Sequence, residues 1–230
     1  MLTIIPARGG SKGVSRKNVR TVGGKPLIAW TILAAKASRL GRTCYVSTED
    51  DEISTVAQRW GTDVISRPHY LADDSTPMID VIRHALDVCE ARAGSAFDYI
   101  MLLQPTAPMR KSEDIDAAAD ILQQSAADSV ISVYRVEDAH PARMYRIIDG
   151  LLEPFSNEHT VSLRQDLPVL FHRNGAIYIC KRRLITEESR LWGGRIYPYI
   201  MPKSRSVNID DEQDLMLADY LLSYHNEAQD

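Results

Sequence analysis

Short apolar runs alternate with longer segments of helical spacing through the first 134 residues of the chain. The apolar runs predict β-strands at Leu2–Ile5, Thr43–Ser47, Asp63–Ser66, Tyr99–Leu103 and Ser129–Tyr134. The segments between them predict helices at Ile28–Ala37, Asp51–Trp60, Met78–Glu90 and Ser112–Gln124. Strands and helices that alternate in this way form a parallel sheet with helices on both faces. The pattern therefore predicts an α/β protein with a doubly wound, mostly parallel sheet.

The alternation ends after Tyr134. Residues 135–172 are rich in charge, proline and histidine and show little periodicity. Beyond them the sequence predicts a buried strand at Asn174–Cys180, a short strand at residues 196–201 and an amphipathic helix at Asp211–Tyr224. An excursion of this length inside a domain is more often a functional lid or arm than a plain loop. We therefore predict a single domain over residues 1–230 with an inserted arm at residues 135–172.

The composition narrows the classes of protein that fit. The chain has 230 residues, of which 44% are hydrophobic, and a net charge of −4. The length suits one domain, and the mildly acidic balance argues against a nucleic-acid-binding surface. The three cysteines are odd in number and far apart, which is typical of reduced thiols. No leader pattern and no membrane-spanning apolar run is evident, so we expect a cytoplasmic protein that binds neither nucleic acid nor membrane.

A loop rich in glycine and in cations follows the first predicted strand. Its glycines are Gly9, Gly10 and Gly13, and its cations are Arg8, Lys12, Arg16 and Lys17. Glycine lets successive backbone N–H groups approach one anion, and arginine and lysine add full positive charge beside them. The spacing fits neither a P-loop nor a dinucleotide-binding motif. A solvated basic loop is the plain alternative, but the place at a strand's carboxyl end favours a polyphosphate cradle.

Two later segments bring polar side chains to the same end of the predicted sheet. Gln104 follows the fourth strand in a rigid Gln-Pro-Thr-Ala-Pro run, and its amide can pair with a base or a sugar. Residues 204–214 surround a strand-to-helix turn with carboxylates, which Mg²⁺ accepts as ligands together with substrate phosphates. The alternative is that Asp210 or Asp211 caps the last helix. A cationic glycine loop and an acidic turn jointly supply what a metal-bound nucleoside triphosphate needs.

These motifs, in this order, resemble those of the acylneuraminate cytidylyltransferases (CMP-sialic acid synthetases) and their CMP-legionaminate and CMP-pseudaminate synthetase relatives. The resemblance covers nearly the whole chain. It rests on the runs Ile5–Gly13, Arg16–Asn18, Val46–Asp50, Arg67–Pro68, Leu102–Arg110, Arg164–Gln165, Asn174–Tyr178 and Arg205–Asp210. It implies the Rossmann-like fold of the nucleotide-diphospho-sugar transferases. It also implies a homodimer that forms through the arm.

The resemblance further implies a reaction in which CTP and a nonulosonic acid (a nine-carbon 2-keto sugar acid) give a CMP-sugar and pyrophosphate. The residues that it assigns to the nucleotide are Arg8, Gly9, Gly10, Ser11, Lys12, Gly13, Lys17, Asn18 and Arg67, the last near the cytosine. Those that it assigns to the sugar are Gln104, Arg143, Arg164 and Arg173, with Arg143 and Arg164 coming from the neighbouring subunit. Asp210 and Asn208 are expected to hold Mg²⁺. Lys12, Lys17 and Asp210 are expected to be catalytic.

Two departures from the family pattern leave alternatives open. Family members commonly have Asp-Ile-Asp where this chain has Asn208-Ile209-Asp210, so one expected metal ligand lacks a charge. The basic residue before the Asn-Gly strand is shifted, and either His172 or Arg173 can face the sugar. One alternative is a related nucleotidyltransferase with another base or sugar acid. The other is a non-catalytic nucleotide-binding homologue.

Overall fold

A computed structural model describes residues 1–10, 13–156 and 166–227 of the chain. Its strands are Leu2–Pro6 (β1), Thr21–Val22 (β2), Lys25–Pro26 (β3), Cys44–Thr48 (β4), Asp63–Ser66 (β5), Tyr99–Leu102 (β6), Ser129–Arg135 (β7), Tyr145–Ile148 (β8), Leu151–Pro154 (β9), Phe171–Lys181 (β10) and Ile196–Ile200 (β11). Its α-helices are Leu27–Ala37 (α1), Asp51–Arg59 (α2), Met78–Ala93 (α3), Ser112–Gln124 (α4), Arg182–Thr186 (α5) and Glu212–Glu227 (α6). Ser11, Lys12 and Arg164 lie outside the described residues.

The main sheet has seven strands in the order β11-β7-β10-β6-β1-β4-β5. β1 pairs in parallel with β4 and β6, and β4 pairs in parallel with β5, so these strands end at the same edge. β11 is parallel to β7, whereas β10 is antiparallel to both of its neighbours. Since β10 alone of the seven is reversed, the sheet is mostly parallel. The predicted fold class is confirmed.

Helices cover both faces of this sheet, because its strands are apolar on both sides. One buried cluster joins Ile5 of β1 to Ile32 of α1 and Ile115 of α4. A second cluster on the opposite face joins Ile4 of β1 to Leu86 of α3. Adjacent residues of one strand thus enter different cores, as the alternation of side chains along a strand requires. In the described ranges, no helix is both long and apolar enough to cross a lipid bilayer.

A third, smaller core lies beneath the carboxyl edge of the sheet. It packs Val14, from the end of the glycine loop, against Ile209 and against Leu215 of α6. Val22 of the β2-β3 hairpin and Leu27 of α1 complete the same cluster. The cluster therefore joins the glycine loop to the acidic segment, although the two are far apart in sequence.

β10 starts earlier than predicted. It begins at Phe171, inside the segment assigned to the arm, rather than at Asn174. Its pairing with β7 changes register between Arg173 and Tyr178, and Gly175 there has a φ of +75°. Irregularities of this kind re-aim side chains and are common beside active sites. The early start and the register change together bring His172 and Arg173 into the sheet.

The predicted arm contains a second, isolated hairpin made by β8 and β9. Ile147 and Leu152 face each other across it and are 76% and 67% exposed. Ile148 and Leu151, which form the next pair, are exposed as well. The sequence predicted an arm with little periodicity, and the structure has there a short antiparallel ribbon with large apolar side chains in contact with solvent.

Candidate active site

Two adjoining cavities open at the carboxyl edge of the main sheet. The first, which we call the loop cavity, has a volume of about 520 Å³. Its lining residues are Pro6, Arg8, Gly13, Lys17, Asn18, Arg67, Pro105 and Thr106. The second, here the aromatic cavity, has a volume of about 600 Å³ and is lined by Tyr134, His172, Arg173, Asn174, Gly175, Tyr178, Leu191 and Trp192 among others. Met78, Gln104, Asn208 and Asp210 line both cavities. A molecule in one cavity therefore lies next to a molecule in the other.

Cations of the glycine loop reach the loop cavity, as the sequence predicted. Arg8 forms an ion pair with Asp74 at 2.7 Å, and both side chains are partly exposed. The ammonium of Lys17 donates to the backbone carbonyl of Ile209 at 2.6 Å. Burial lowers the pKa of Lys17, although the carboxylates of Asp210 and Asp214 act in the opposite direction. These two cations line one wall of the cavity and can face an anion from it.

Other predicted nucleotide residues hold the loop in shape. The amide of Asn18 is buried and donates to the backbone carbonyl of Arg8 at 3.0 Å. A Cβ on Gly13 would lie 1.9 Å from the carbonyl oxygen of Asp210, so only glycine fits at this contact. Gly10 is exposed, and a Cβ there would meet no atom within 4 Å. The loop is therefore fixed at Asn18 and Gly13 and open at Gly10.

Glu49 is a site residue that sequence reasoning missed. Its carboxylate accepts from the backbone N–H of Gly9 at 2.7 Å and from the guanidinium of Arg67 at 2.5 and 3.2 Å. Burial disfavours the charged form of Glu49, but the bonds from Arg67 and Gly9 together outweigh the effect of burial. They hold the pKa of Glu49 below its ordinary value. The N–H of Gly9 is thus bonded to a carboxylate, which differs from the prediction that it points at a polyphosphate. The run Ser47-Thr48-Glu49-Asp50 was the available signal.

The question of which aspartate caps the last helix is settled by the hydrogen bonds. Asp211 accepts from the N–H groups of Gln213 and Asp214 at 2.9 Å each, so Asp211 is the cap. The Asp210 carboxylate is left facing the cavities and accepts from the side-chain amide of Asn208 at 2.7 Å. The Asn208 oxygen is buried and has no hydrogen-bond partner. Within the described residues, no cluster of three or more His, Cys, Asp or Glu side chains is arranged to hold a metal ion.

Gln104 lies where the two cavities meet, and a buried arginine fixes its backbone. Arg110 donates to the carbonyl of Gln104 at 2.6 Å, to that of Ala176 at 2.9 Å and to the hydroxyl of Thr31 at 3.0 Å. Complete burial lowers the pKa of Arg110 to about 10. A Cβ on Gly175 would lie 2.7 Å from the side-chain oxygen of Gln104, so glycine leaves room for that amide. Arg110, two residues beyond the proline run, therefore orients Gln104 rather than binding a ligand.

The aromatic cavity receives both basic residues whose roles the sequence left open. The guanidinium of Arg173 lies 4.8 Å from the centroid of the Trp192 ring, which stacks on Tyr178 at 5.5 Å. His172 lies on the same wall, with its ring 5.4 Å from that of Tyr134. An arginine held over an aromatic face keeps its charge and its N–H donors available for an acid. This cavity offers one cation and several rings.

Arg143 lies apart from both cavities. It forms an exposed ion pair with Asp138 at 2.9 Å, within the arm. It does not line either cavity among the residues that the structure describes. If Arg143 contacts a sugar, as the family resemblance implies, it does so in another copy of the chain.

The fold and the site define a nucleotide-binding α/β protein with room for a second substrate, and the family follows from the comparison with known proteins. The cytidylyltransferase family model matches residues 2–207. The chain belongs to the cytidylyltransferase family and is a nucleotidyltransferase. The resemblance drawn from its motifs is therefore confirmed.

The chain is similar to two relatives whose names specify a sugar. It is 33% identical over 227 residues to CMP-N,N'-diacetyllegionaminic acid synthase of Campylobacter jejuni, with 98% of this chain and 96% of the relative covered. It is 34% identical over 221 residues to N-acylneuraminate cytidylyltransferase of Escherichia coli, with 95% of this chain covered. This chain spans about half the length of the Escherichia coli relative, since 51% of that protein is covered.

A solved structure supports the fold. CMP:2-keto-3-deoxy-manno-octonic acid synthetase complexed with CTP superposes with a TM-score of 0.73 at 16% sequence identity. The superposition covers 97% of this chain and 98% of that one. At this identity the likeness concerns the fold alone.

Proposed function

We propose that the protein transfers a cytidylyl group from CTP to a nonulosonic acid and releases pyrophosphate. The observation that carries this proposal is the junction of a cationic loop cavity with an aromatic cavity at Gln104 and Asp210. The near-complete coverage of a legionaminic acid synthase supports a nine-carbon acceptor. In the reaction, the anomeric hydroxyl of the sugar acid attacks the α-phosphorus. The bond between the α-phosphorus and the oxygen that bridges it to the β-phosphate breaks, pyrophosphate leaves with the electron pair, and the proton of the attacking hydroxyl passes to solvent water.

The loop cavity binds the nucleotide in this proposal. Arg8 and Lys17 neutralise the triphosphate, and the family resemblance adds Lys12, Ser11 and the glycines of the loop to the same role. Arg67 also lines the cavity, and the cytosine is expected beside it. Charges that are already positioned need not reorganise as the phosphate charge shifts during transfer, and this lowers the barrier. Displacement of Asp74 from Arg8 by the triphosphate would accompany binding.

The aromatic cavity binds the acceptor in this proposal. Arg173 is the cation available to the carboxylate of the sugar acid, and the Gln104 amide lies between that carboxylate and the nucleotide. The rings of Tyr178 and Trp192 offer an apolar wall to the remainder of the sugar. Holding the two substrates side by side makes the attack effectively intramolecular.

We propose Mg²⁺ as cofactor, held by Asp210 with Asn208 beside it. The residues fit such an ion in chemistry and position, because both offer hard oxygen atoms at the junction of the cavities. The amide nitrogen of Asn208, not its oxygen, faces Asp210, so Asn208 becomes a ligand only when its amide turns over. The ion, when bound there, would supply charge neutralisation at the phosphates.

We also propose a homodimer in the cytoplasm. The exposed apolar hairpin β8-β9 supports an interface within the arm. The family resemblance implies that Arg143 and Arg164 then meet the acceptor of the other subunit. The thiols of Cys44, Cys89 and Cys180 are free and buried, as in proteins of a reducing compartment.

The test is a substrate panel with pyrophosphate release as the readout. The purified protein is incubated with CTP, UTP, GTP or ATP, with Mg²⁺, and with N-acetylneuraminic, legionaminic, pseudaminic or 3-deoxy-octulosonic acid. We expect release only with CTP and a nine-carbon acid. Release with an eight-carbon acid or with another base would identify a related nucleotidyltransferase. No release from any pair, with CTP binding retained, would identify a non-catalytic homologue.

A further inference from the structure

Three separate segments meet at one buried carboxylate. Glu49, in the turn that follows β4, bonds to the N–H of Gly9 in the glycine loop and to Arg67 in the turn that follows β5. The Glu49 side chain is 9% exposed and that of Arg67 is 3% exposed. Arg67 is further fixed by its own N–H, which donates to the carbonyl of Thr48 at 2.9 Å. Among the residues that the structure describes, Glu49 is therefore the one whose side chain bonds to both the glycine loop and Arg67.

The same turn holds the glycine loop at a second point. The Asp50 carboxylate pairs with the guanidinium of Arg16 at 2.5 and 3.0 Å and also caps α2. Arg16 has a φ of +54°, a left-handed conformation that arginine rarely adopts without support. Glu52 pairs with the same guanidinium. The glycine loop is thus held by carboxylates at two points, at Gly9, which precedes Gly10, and at Arg16, which follows Gly13.

We infer that Glu49 is a positioning residue that sets the distance between the glycine loop and Arg67. This inference rests on the proposed function, in which the loop takes the triphosphate and Arg67 faces the base. A nucleoside triphosphate spans both groups, so their separation must match the nucleotide before it binds. One oxygen of the buried carboxylate accepts two bonds from Arg67 and the other accepts from Gly9, and such charge-assisted bonds fix a separation better than neutral ones. Glu49 touches neither substrate and acts through the two groups that do.

The test variants are Glu49→Gln, which keeps the shape and removes the charge, and Glu49→Asp, which keeps the charge and shortens the reach. Glu90→Gln is the matched control. Glu90 also accepts two hydrogen bonds from one arginine, Arg182, at 2.7 and 2.8 Å, but it lines neither cavity. The readouts are the Kd of CTP by calorimetry without acceptor, KM for each substrate and the melting temperature.

For Glu49→Gln we expect the Kd and KM of CTP to rise about 10- to 100-fold, as for loss of one partner of a buried charge pair. The KM of the sugar acid should change less than about two-fold, since the aromatic cavity is unaltered. Glu49→Asp should recover part of the loss. Glu90→Gln should lower the melting temperature and leave both KM values near those of the wild type.

Two results would overturn the inference. One is a Kd for CTP in Glu49→Gln no weaker than in Glu90→Gln. The other is an equal rise in KM for CTP and for the sugar acid, which would indicate a general loss of structure. Failure of the proposed function is distinguishable, because it would appear in the wild type. If the wild type binds another nucleoside triphosphate, the calorimetric comparison is made with that one, and if it binds none, both proposals fail.

Discussion

The loop cavity and the arm hairpin are built in opposite ways. Around the loop cavity, polar groups are buried and bonded: Glu49 to Arg67, Asn18 to the loop backbone, and Arg110 to Gln104. The hairpin β8-β9 has exposed apolar side chains on both faces instead. Buried polar networks specify one arrangement, whereas large exposed apolar surfaces mark places where something else binds. The described part of the loop cavity is held by contacts within one chain, whereas the hairpin leaves an apolar surface exposed.

The largest loss of activity is expected from a substitution at the closest contact beside the loop cavity. Gly13→Ala would place a Cβ 1.9 Å from the Asp210 carbonyl oxygen, a backbone atom that cannot move alone. The loop must shift, and a displacement on the order of 1 Å can cost about 100-fold in rate. We expect a loss of at least that size in pyrophosphate release, with the fold retained by circular dichroism.

Gly10→Ala provides the contrast, since a Cβ at Gly10 meets no atom within 4 Å. We expect a much smaller loss of activity than for Gly13→Ala. Equal losses in the two variants would mean that the flexibility of the loop, and not its contact with Asp210, controls activity.

The next largest effect is expected on the assembly of the proposed homodimer. Ile147→Asp combined with Leu152→Asp places two charges on one face of the hairpin, at a pair that is exposed in the single chain. Because each apolar side chain buried at an interface contributes about 1.5–3 kcal/mol, we expect the dimer to dissociate at micromolar concentration. Light scattering with size-exclusion chromatography measures this. An unchanged dimer would place the interface elsewhere.

A moderate effect is expected at the proposed Mg²⁺ site. Asn208→Asp replaces the amide that donates to Asp210 with a second carboxylate at the same place. Two carboxylates this close repel each other without a cation, and added ligand charge strengthens divalent binding. We expect Mg²⁺ affinity by calorimetry to rise on the order of ten-fold, and the melting temperature in EDTA to fall and recover with Mg²⁺. A melting temperature that ignores Mg²⁺ would remove Asp210 and Asn208 from the metal site.

The smallest effect is expected on the free energy of unfolding at acidic pH. The pKa of Glu49 is lower in the folded protein than its ordinary value of 4.5. A carboxyl group shifted in this direction stabilises the fold above its unfolded pKa, and the stabilisation is lost as the pH falls through the folded pKa. We therefore expect the free energy of unfolding to fall more steeply below about pH 5 in the wild type than in Glu49→Gln. Urea titrations at several pH values measure this, and parallel curves would contradict it.

The sequence predicted the elements better than it predicted the partners within the site. Strands such as Asp63–Ser66 and helices such as Ser112–Gln124 were placed correctly, because hydrophobic periodicity is a local property. It could not show that the N–H of Gly9 bonds to Glu49. Periodicity also could not show that Arg205, which precedes the acidic turn, pairs with Asp114 at the start of α4. Both contacts depend on how segments that are distant in sequence meet in the fold.

Periodicity carries little information about the structure of the arm. The segment 135–172 lacks a long periodic pattern because its strands β8 and β9 have only four residues each. Their apolar side chains face solvent on both sides, so no alternation of buried and exposed positions appears. A hairpin whose apolar side chains are exposed on both faces does not carry the pattern of one that packs on a core.

The contact between the glycine loop and the acidic segment has a consequence for synthesis of the protein. Lys17 and Ile209, which are bonded to each other, are 192 residues apart, and Val14 shares a core with Ile209. The loop leaves the ribosome well before its supporting partner, which follows almost 200 residues later. During translation at about 5–20 residues per second, the loop stays unsupported for roughly ten seconds or more. A ribosome-bound chain that stops before residue 209 should therefore contain most of the sheet and bind no nucleotide.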